Sequence, residues 1–148
     1  MSDAYLSSIA DKTVSRLMVT VSEIYAKEEK PKTIPKDLML SLYSVFGAAL
    51  NSALDLIDRS SVTVMKSGES GREVIKVLGS RGINYTLLTG VHYCPCPSYQ
   101  YSVIGRGDRT CKHLLAASLA IAMGRTNTET VLDHDINQFL EELSFKPG

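Results

Sequence analysis

Apolar residues recur at helical spacing in the N-terminal part of the chain. Between Ala4 and about Lys27 they are Leu6, Ile9, Val14, Leu17, Val21 and Ile24. Their spacing is close to the helical repeat of about 3.6 residues, which predicts an amphipathic helix. A charged stretch closed by Pro31 and Lys32 follows it and predicts a linker.

A second apolar segment runs from Lys36 to Asp58, after Pro35, which is suited to a helix start. Its apolar residues cover two adjoining sides, and its polar residues form a narrow strip, so we expect a helix that packs against two layers. Either both layers belong to the same chain, or one side faces another subunit. The pattern leaves both alternatives open.

Three short runs rich in β-branched residues come next, at Ser61–Lys66, Arg72–Leu78 and Ile83–Thr89. Glycine-containing turns separate them, which predicts an antiparallel β-meander. The segment from Thr110 to about Met123 is almost wholly apolar and predicts a buried helix that ends at Gly124.

The C-terminal segment predicts a further helix. Thr126 and Glu129 have the spacing of a capping box, which places the start of the helix there. An amphipathic pattern then follows at Leu132, Ile136, Phe139, Leu140 and Leu143.

Composition narrows the class of protein. The 148 residues are 44% hydrophobic and 22% charged, which excludes disorder, collagen and coiled coil as the overall class. Sixteen basic residues balance sixteen acidic ones, so any basic surface must be local. The sequence contains no apolar run of membrane-spanning length and no signal pattern at its N-terminus. We therefore expect a soluble intracellular protein with no membrane partner.

All three cysteines lie in one stretch with a histidine. Cys94 and Cys96 form a Cys-x-Cys pair, and Cys111 and His113 form a Cys-x-His pair after a gap of fourteen residues. Three thiolates and an imidazole suit tetrahedral Zn²⁺, and four protein ligands leave no open position for a substrate water. The spacing therefore predicts one structural zinc that clamps the meander to the buried helix. Three buried thiols, or a redox pair at Cys94 and Cys96, are the alternatives.

Two further histidines are interpreted as non-ligands. We expect His92 to be a strand residue, with a fifth or alternative metal ligand as the other interpretation, and His134 to lie on a solvated helix face. The sequence contains no Gly-Lys-Ser/Thr phosphate loop, no Ser/His/Asp set and no paired carboxylates. An enzyme is therefore the least favoured class of protein, and we expect neither a catalytic residue nor a small-molecule substrate.

The loop around the cysteines is locally basic. Residues 92–125 carry a net charge of +3, with Arg106, Arg109 and Lys112 close to Tyr99 and Tyr101. The basic side chains would contact phosphates and the tyrosines would stack on bases, as in a nucleic-acid-binding module. A solvated loop over a zinc site is the alternative.

The cysteine–histidine pattern resembles the SWIM-type zinc finger, and Ala116 extends it to the variant found in the zinc-finger subunit of the Shu complex. SWIM motifs also occur in transposase-like and ubiquitin-ligase proteins. The resemblance covers about residues 36–123 and also includes the following segments: Val45–Gly47, Ala53–Arg59, Val77–Ser80, His92–Pro97 and Cys111–Ala116.

The resemblance implies a nuclear, non-catalytic subunit that acts in homologous-recombination repair. Members of this family pair with a RecA-fold recombinase paralogue and promote recombinase filaments on single-stranded DNA. The zinc ligands would be Cys94, Cys96, Cys111 and His113, and Ala116 would permit close helix packing.

The expected fold is therefore α+β. It comprises N-terminal helices, a small antiparallel β-meander, a zinc-bound ββα-like finger and C-terminal helices. The predicted segments are an N-terminal helix and linker at 1–32, a core at 33–124 that contains the finger at about 83–120, and a C-terminal helix at 125–148.

Overall fold

The computed structural model describes residues 12–27, 29, 31–79, 81–89, 91–105 and 110–144. Its helices are α1 (Lys12–Tyr25), α2 (Lys36–Phe46), α3 (Ala48–Asp58), α4 (Lys112–Met123) and α5 (Asp133–Ser144). Its strands are β1 (Val62–Ser67), β2 (Glu73–Leu78), β3 (Asn84–Leu87) and β4 (Asn127–Val131), and a π-helical segment covers Tyr99–Gly105. The predicted α+β class is confirmed.

Helix α4 is the centre of the hydrophobic core. It packs against α1 and α3 on one side and against β1 and β2 on the other. Ten of its twelve residues are buried, including the run from Leu114 to Ala120. The alanines in that run let neighbouring elements approach from every direction, as the apolar sequence predicts. Gly124 ends the helix in the left-handed conformation, at φ 68°.

The prediction of a single helix from Lys36 to Asp58 is wrong, because the helix is interrupted at one residue. Gly47 has φ 60° and ψ −140°, which separates α2 from α3. Glycine adopts positive φ readily because it has no Cβ, whereas most other residues would be strained there. The apolar stripe continues across the break, so periodicity alone did not reveal it.

The two sides of this stripe have different surroundings. Leu38, Leu42, Leu50 and Ala53 are buried in the core. On the other side, Leu40 is 60% exposed and Tyr43 is 49% exposed. We call Met39, Leu40, Tyr43 and Phe46 the α2 patch, since they follow helical spacing along α2 and are exposed or half-buried.

The sheet has the order β3-β2-β1-β4 and is mixed. The pairs β1–β2 and β2–β3 are antiparallel, which confirms the predicted meander. The fourth strand was not predicted: β4 pairs with β1 in parallel, where the sequence predicts the start of a helix. Its residues Thr128, Thr130 and Val131 are β-branched and favour a strand over a helical first turn.

Helix α5 begins six residues later than the Thr126–Glu129 spacing predicts. Its N-terminus is capped by Asp135, whose carboxylate accepts a hydrogen bond from the Leu132 N–H (3.1 Å). Asp133 also accepts hydrogen bonds from the hydroxyls of Ser67 and Ser70, and these bonds lower the pKa of its carboxyl. The β1–β2 turn therefore holds the start of α5.

Helix α5 covers the face of the sheet opposite α4. Ile136 is buried there, and the Lys76 ammonium lies 4.0 Å from the centre of the Phe139 ring. Among the described residues, no helix has the length and apolar character needed to cross a membrane. The division at residues 32 and 124 stays a prediction, and the predicted positions Leu6 and Ile9 lie outside the described residues.

Candidate metal centre

The structure brings together the four residues that the sequence predicts as zinc ligands. The candidate ligand atoms of Cys94, Cys96, Cys111 and His113 all lie within 4.8 Å of one another, and all four residues are buried. The distance from Cys94 Sγ to His113 Nδ1 is 3.8 Å. A tetrahedral zinc with bonds of about 2.3 Å to sulfur separates its ligand atoms by about 3.8 Å, so the cluster has the dimensions of a metal site.

The first cysteine pair is held by a segment without regular secondary structure. The sequence analysis places this pair at the end of a strand, but β3 ends at Leu87, seven residues before Cys94. The segment is fixed by Tyr99 instead: its N–H donates to Cys96 Sγ (3.3 Å), and its hydroxyl donates to the His92 carbonyl (2.8 Å). An N–H directed at sulfur stabilises the thiolate that a metal requires.

The second pair lies at the start of the buried helix. Cys111 is the N-cap of α4, in an extended conformation, and its sulfur accepts a hydrogen bond from the Leu114 N–H (3.5 Å). The first N–H groups of a helix lack helical partners, and its positive dipole end favours negative charge. A thiolate at this position therefore satisfies the helix end as well as binding a cation.

His113 is positioned by residues that sequence reasoning did not single out. The Tyr85 ring from β3 lies against the imidazole, with centroids 4.4 Å apart. Gly79 makes this contact possible, because a Cβ there would lie 2.9 Å from the Tyr85 ring and 3.6 Å from His113 Nε2. Read from the sequence alone, Gly79 was only a turn signal.

The protonation state of each of the three thiols depends on the other two. Contact with Cys111 and Cys96, together with burial, raises the pKa of Cys94. Contact with Cys111 and Cys94 lowers the pKa of Cys96, helped by the Tyr99 N–H. Three negative charges cannot accumulate in a buried space without a cation. The cluster therefore has the chemistry of a site for a thiophilic divalent metal.

The other candidate residues are spread around this centre. His92 lies outside both the ligand cluster and the strands, with its ring 5.8 Å from that of Tyr99. His134 is exposed on α5, as expected. Lys112 is half-buried, and Ala116 is fully buried one turn along α4. Arg106 and Arg109 lie outside the described residues.

The two tyrosines that the sequence treats alike have different environments. Tyr99 is buried and holds the cysteine segment, so its ring is not available to stack on a base. Tyr101 is 78% exposed on the π-helical segment. The sequence predicts a loop around these two tyrosines, whereas the structure has a π-helical segment there.

The Cys-x-Cys pair follows the β-meander, the Cys-x-His pair lies at the start of a helix, and the two converge on one buried site. This arrangement defines a SWIM-type zinc-finger protein. No protein-family model and no solved structure matches the chain. It is 43% identical to the zinc finger SWIM domain-containing protein 7 of Danio rerio over 136 residues, 91% of each chain. It is 40% identical to the Homo sapiens protein of that name over 121 residues, 81% of this chain and 86% of that protein.

The relationship also includes a relative of lower identity. The zinc finger SWIM domain-containing protein 7 homolog of Dictyostelium discoideum is 30% identical over 136 residues, 87% of this chain and 85% of that protein. The chain belongs to the zinc finger SWIM domain-containing protein 7 family. The matched stretches are longer than residues 36–123, to which the sequence resemblance was assigned.

Proposed function

We propose that this chain is the non-catalytic zinc-finger subunit of a Shu-type complex. In this proposal it binds a RecA-fold recombinase paralogue, and the pair promotes recombinase filaments on single-stranded DNA during homologous recombination in the nucleus. Family membership supports the class of protein, and the α2 patch is the observation that carries the partner-binding role.

The metal in this proposal is a single structural Zn²⁺. Cys94, Cys96, Cys111 and His113 would supply all four ligands, which leaves no position for a reacting water. Zinc would supply a cross-link between the irregular cysteine segment and α4. The buried sulfurs are enclosed by Tyr99, Tyr85 and the start of α4, which suits a stabilising site better than a reactive one.

The α2 patch supports a protein partner. Leu40 and Tyr43 are large, exposed at 60% and 49%, and lie on one side of a helix whose other side is in the core. Met39 and Phe46 lie beside them, are half-buried and also pack against the core. An apolar surface of this kind, continuous along a helix, is typical of a protein–protein interface.

Affinity purification from the native cell tests the proposal, with the partners identified by mass spectrometry and zinc quantified in the same eluate. We expect a RecA-fold protein at a near one-to-one ratio with the chain and one zinc bound. The double variant Leu40→Ala/Tyr43→Ala should lose that protein and keep the zinc. Val19→Ala is the matched control, since Val19 is a 41% exposed apolar residue on α1.

Two results would contradict the proposal. A chain that carries zinc but copurifies with no RecA-fold protein would remove the partner. Retention of the partner by the double variant would remove the α2 patch as its docking surface. The purified pair should also increase recombinase assembly on single-stranded DNA, and the chain alone should not.

A stand-alone nucleic-acid-binding module is the second candidate function. Tyr101, 78% exposed on the π-helical segment, favours it, since an exposed aromatic ring offers a stacking surface. Reversing the charges of Arg106, Arg109 and Lys112 should then abolish binding of a single-stranded oligonucleotide and flatten its salt dependence. Unchanged affinity in that triple variant would eliminate this function.

A further inference from the structure

The two edge strands of the sheet differ in how they are covered. In β3, Thr86 and Leu87 are buried, and the segment that carries the cysteines follows directly. In β4, the four residues from Asn127 to Thr130 are all exposed, and only Val131 is half-buried. Sheet edges are usually protected by proline, charged side chains, a bulge or a covering element. Within the described residues, β4 has no proline, bulge or covering element, and its single charged side chain is Glu129.

The hydrogen-bond register identifies which peptide groups of β4 face outward. The Gly68 N–H donates to the Val131 carbonyl (3.1 Å), and Ser67 pairs with Val131 in the parallel ladder. Peptide groups alternate along a strand, so those of Asn127, Glu129 and Val131 face β1. The N–H and C=O groups of Thr128 and Thr130 therefore face away from the sheet. No described residue forms a hydrogen bond with them.

We infer that β4 is a docking edge for an extended segment of a partner protein, which adds to the sheet as a fifth strand with a basic residue facing Glu129. Outward donors and acceptors at strand spacing recognise extended backbone, as in β-strand addition. Glu129 supplies the charge preference. It is exposed, projects on the α5 face of the sheet and has no ion-pair partner among the described residues.

A second copy of this chain fits the edge poorly. The antiparallel register that pairs all five residues of two β4 strands places Glu129 directly opposite Glu129. In that register the two residues form a non-hydrogen-bonded pair, in which side chains are closest, and like charges destabilise such a pair. A strand with lysine or arginine at this position gains the opposite interaction. The edge therefore favours a basic partner segment over self-association.

The inference is independent of the α2 patch and does not require a RecA-fold partner. Its test uses the isotope-labelled zinc-bound chain and synthetic nine-residue peptides that alternate threonine and valine around a central residue. In one peptide the central residue is lysine, in another it is glutamate, and a third is the lysine peptide with N-methyl groups on its pairing edge. NMR amide shifts and hydrogen exchange report where each one binds.

We expect the lysine peptide to protect the Thr128 and Thr130 amides from exchange and to bind about fivefold more tightly than the glutamate peptide. The N-methylated peptide should not bind. Glu129→Lys should reverse the preference between the two charged peptides. Thr128→Pro should abolish binding, because it removes an outward N–H and keeps the ladder with β1, and Thr128→Ala is its control.

Several outcomes would overturn the inference. One is that the lysine peptide leaves the Thr128 and Thr130 amides unchanged. Another is that Thr128→Pro and Thr128→Ala bind the lysine peptide equally well. A third is that Glu129→Lys does not reverse the preference between the two charged peptides. Concentration-dependent protection of β4 in the chain alone would assign the edge to a second copy. The charge reversal does not depend on the proline variant folding. Loss of the α2 patch should leave peptide binding unchanged, so this test and that of the proposed function fail separately.

Discussion

The metal centre and the helical core keep their residues buried by different means. Around α4, apolar side chains from α1, α3, β1 and β2 enclose one another, and Ser118 is the fully buried polar residue in the described part of that helix after His113. Around the metal centre, the backbone from Val91 to Cys96 has no regular secondary structure, yet it places two thiols in a buried position. Apolar burial stabilises the first region, whereas the second has the buried thiols and imidazole of a candidate metal site, whose ligands a cation would join.

Among single substitutions, Cys111→Ala should have the largest effect. The variant removes a ligand and the N-cap of α4 together. Structural zinc supplies on the order of 10 kcal/mol of folding free energy, so the finger should unfold and release its metal. Zinc content and thermal melting followed by circular dichroism measure this.

Ser98→Ala is the control for that variant, because Ser98 is exposed, lies two residues after Cys96 and is not a candidate ligand. We expect the control to melt like the wild type with its zinc in place. A Cys111→Ala protein that binds zinc and melts normally would show that the site has been misassigned.

Leu115→Ala tests the apolar region separately from the metal. Leu115 is fully buried in α4, and the truncation leaves a cavity in a close-packed region. Such changes cost about 2–5 kcal/mol, here with zinc retained. Urea unfolding gives the loss of stability and metal analysis gives the zinc content. Loss of zinc in the folded variant would mean that the two regions are not separable.

Ala116→Thr affects the same helix in the opposite way, by adding volume. Ala116 is fully buried, so the extra atoms and the hydroxyl have no free space. Overpacking of this kind costs about 1–3 kcal/mol. We expect lower stability in urea, retained zinc and weaker binding of the partner. Wild-type stability would show that the helix contacts at this position are loose.

Gly79→Ala acts at the boundary between the two regions, and its effect should be the smallest in stability and the most specific in location. The added methyl group would lie 2.9 Å from the Tyr85 ring, which packs on His113. Displacing the ring should cost about 1–2 kcal/mol. Zinc should be removed by a competing chelator at a lower concentration than in the wild type. Gly82→Ala is unsuitable as a control because Gly82 has φ 76°, so Ser98→Ala serves again.

The sequence predicted which four residues cluster as candidate ligands better than it predicted the fold. The spacing of Cys94, Cys96, Cys111 and His113 contains the information directly, because few chemical functions require those residue types in pairs. The break at Gly47 was not predicted, since the apolar stripe runs through it. The contribution of Tyr85 and Gly79 was not predicted either, because their contact with His113 depends on how β3 packs against α4.

The fourth strand was missed for a local reason. Thr126 and Glu129 match the spacing of a capping box, while the β-branched run after them is only a few residues long. Pairing with β1 decides between the two structures, and that contact joins residues more than sixty positions apart. Tyr99 and Tyr101 lie two positions apart in the same short stretch. The sequence likewise gave no sign that Tyr99 is buried and Tyr101 exposed.

Hydrogen exchange of the zinc-bound chain before and after metal removal by a chelator measures whether a cation holds the cysteine segment in place. We expect amides of residues 91–105 and of the first turn of α4 to lose protection, whereas those of α1, α3, β1 and β2 keep most of theirs. Unchanged protection at residues 91–105 after metal removal would contradict this expectation, and so would a uniform loss across the chain.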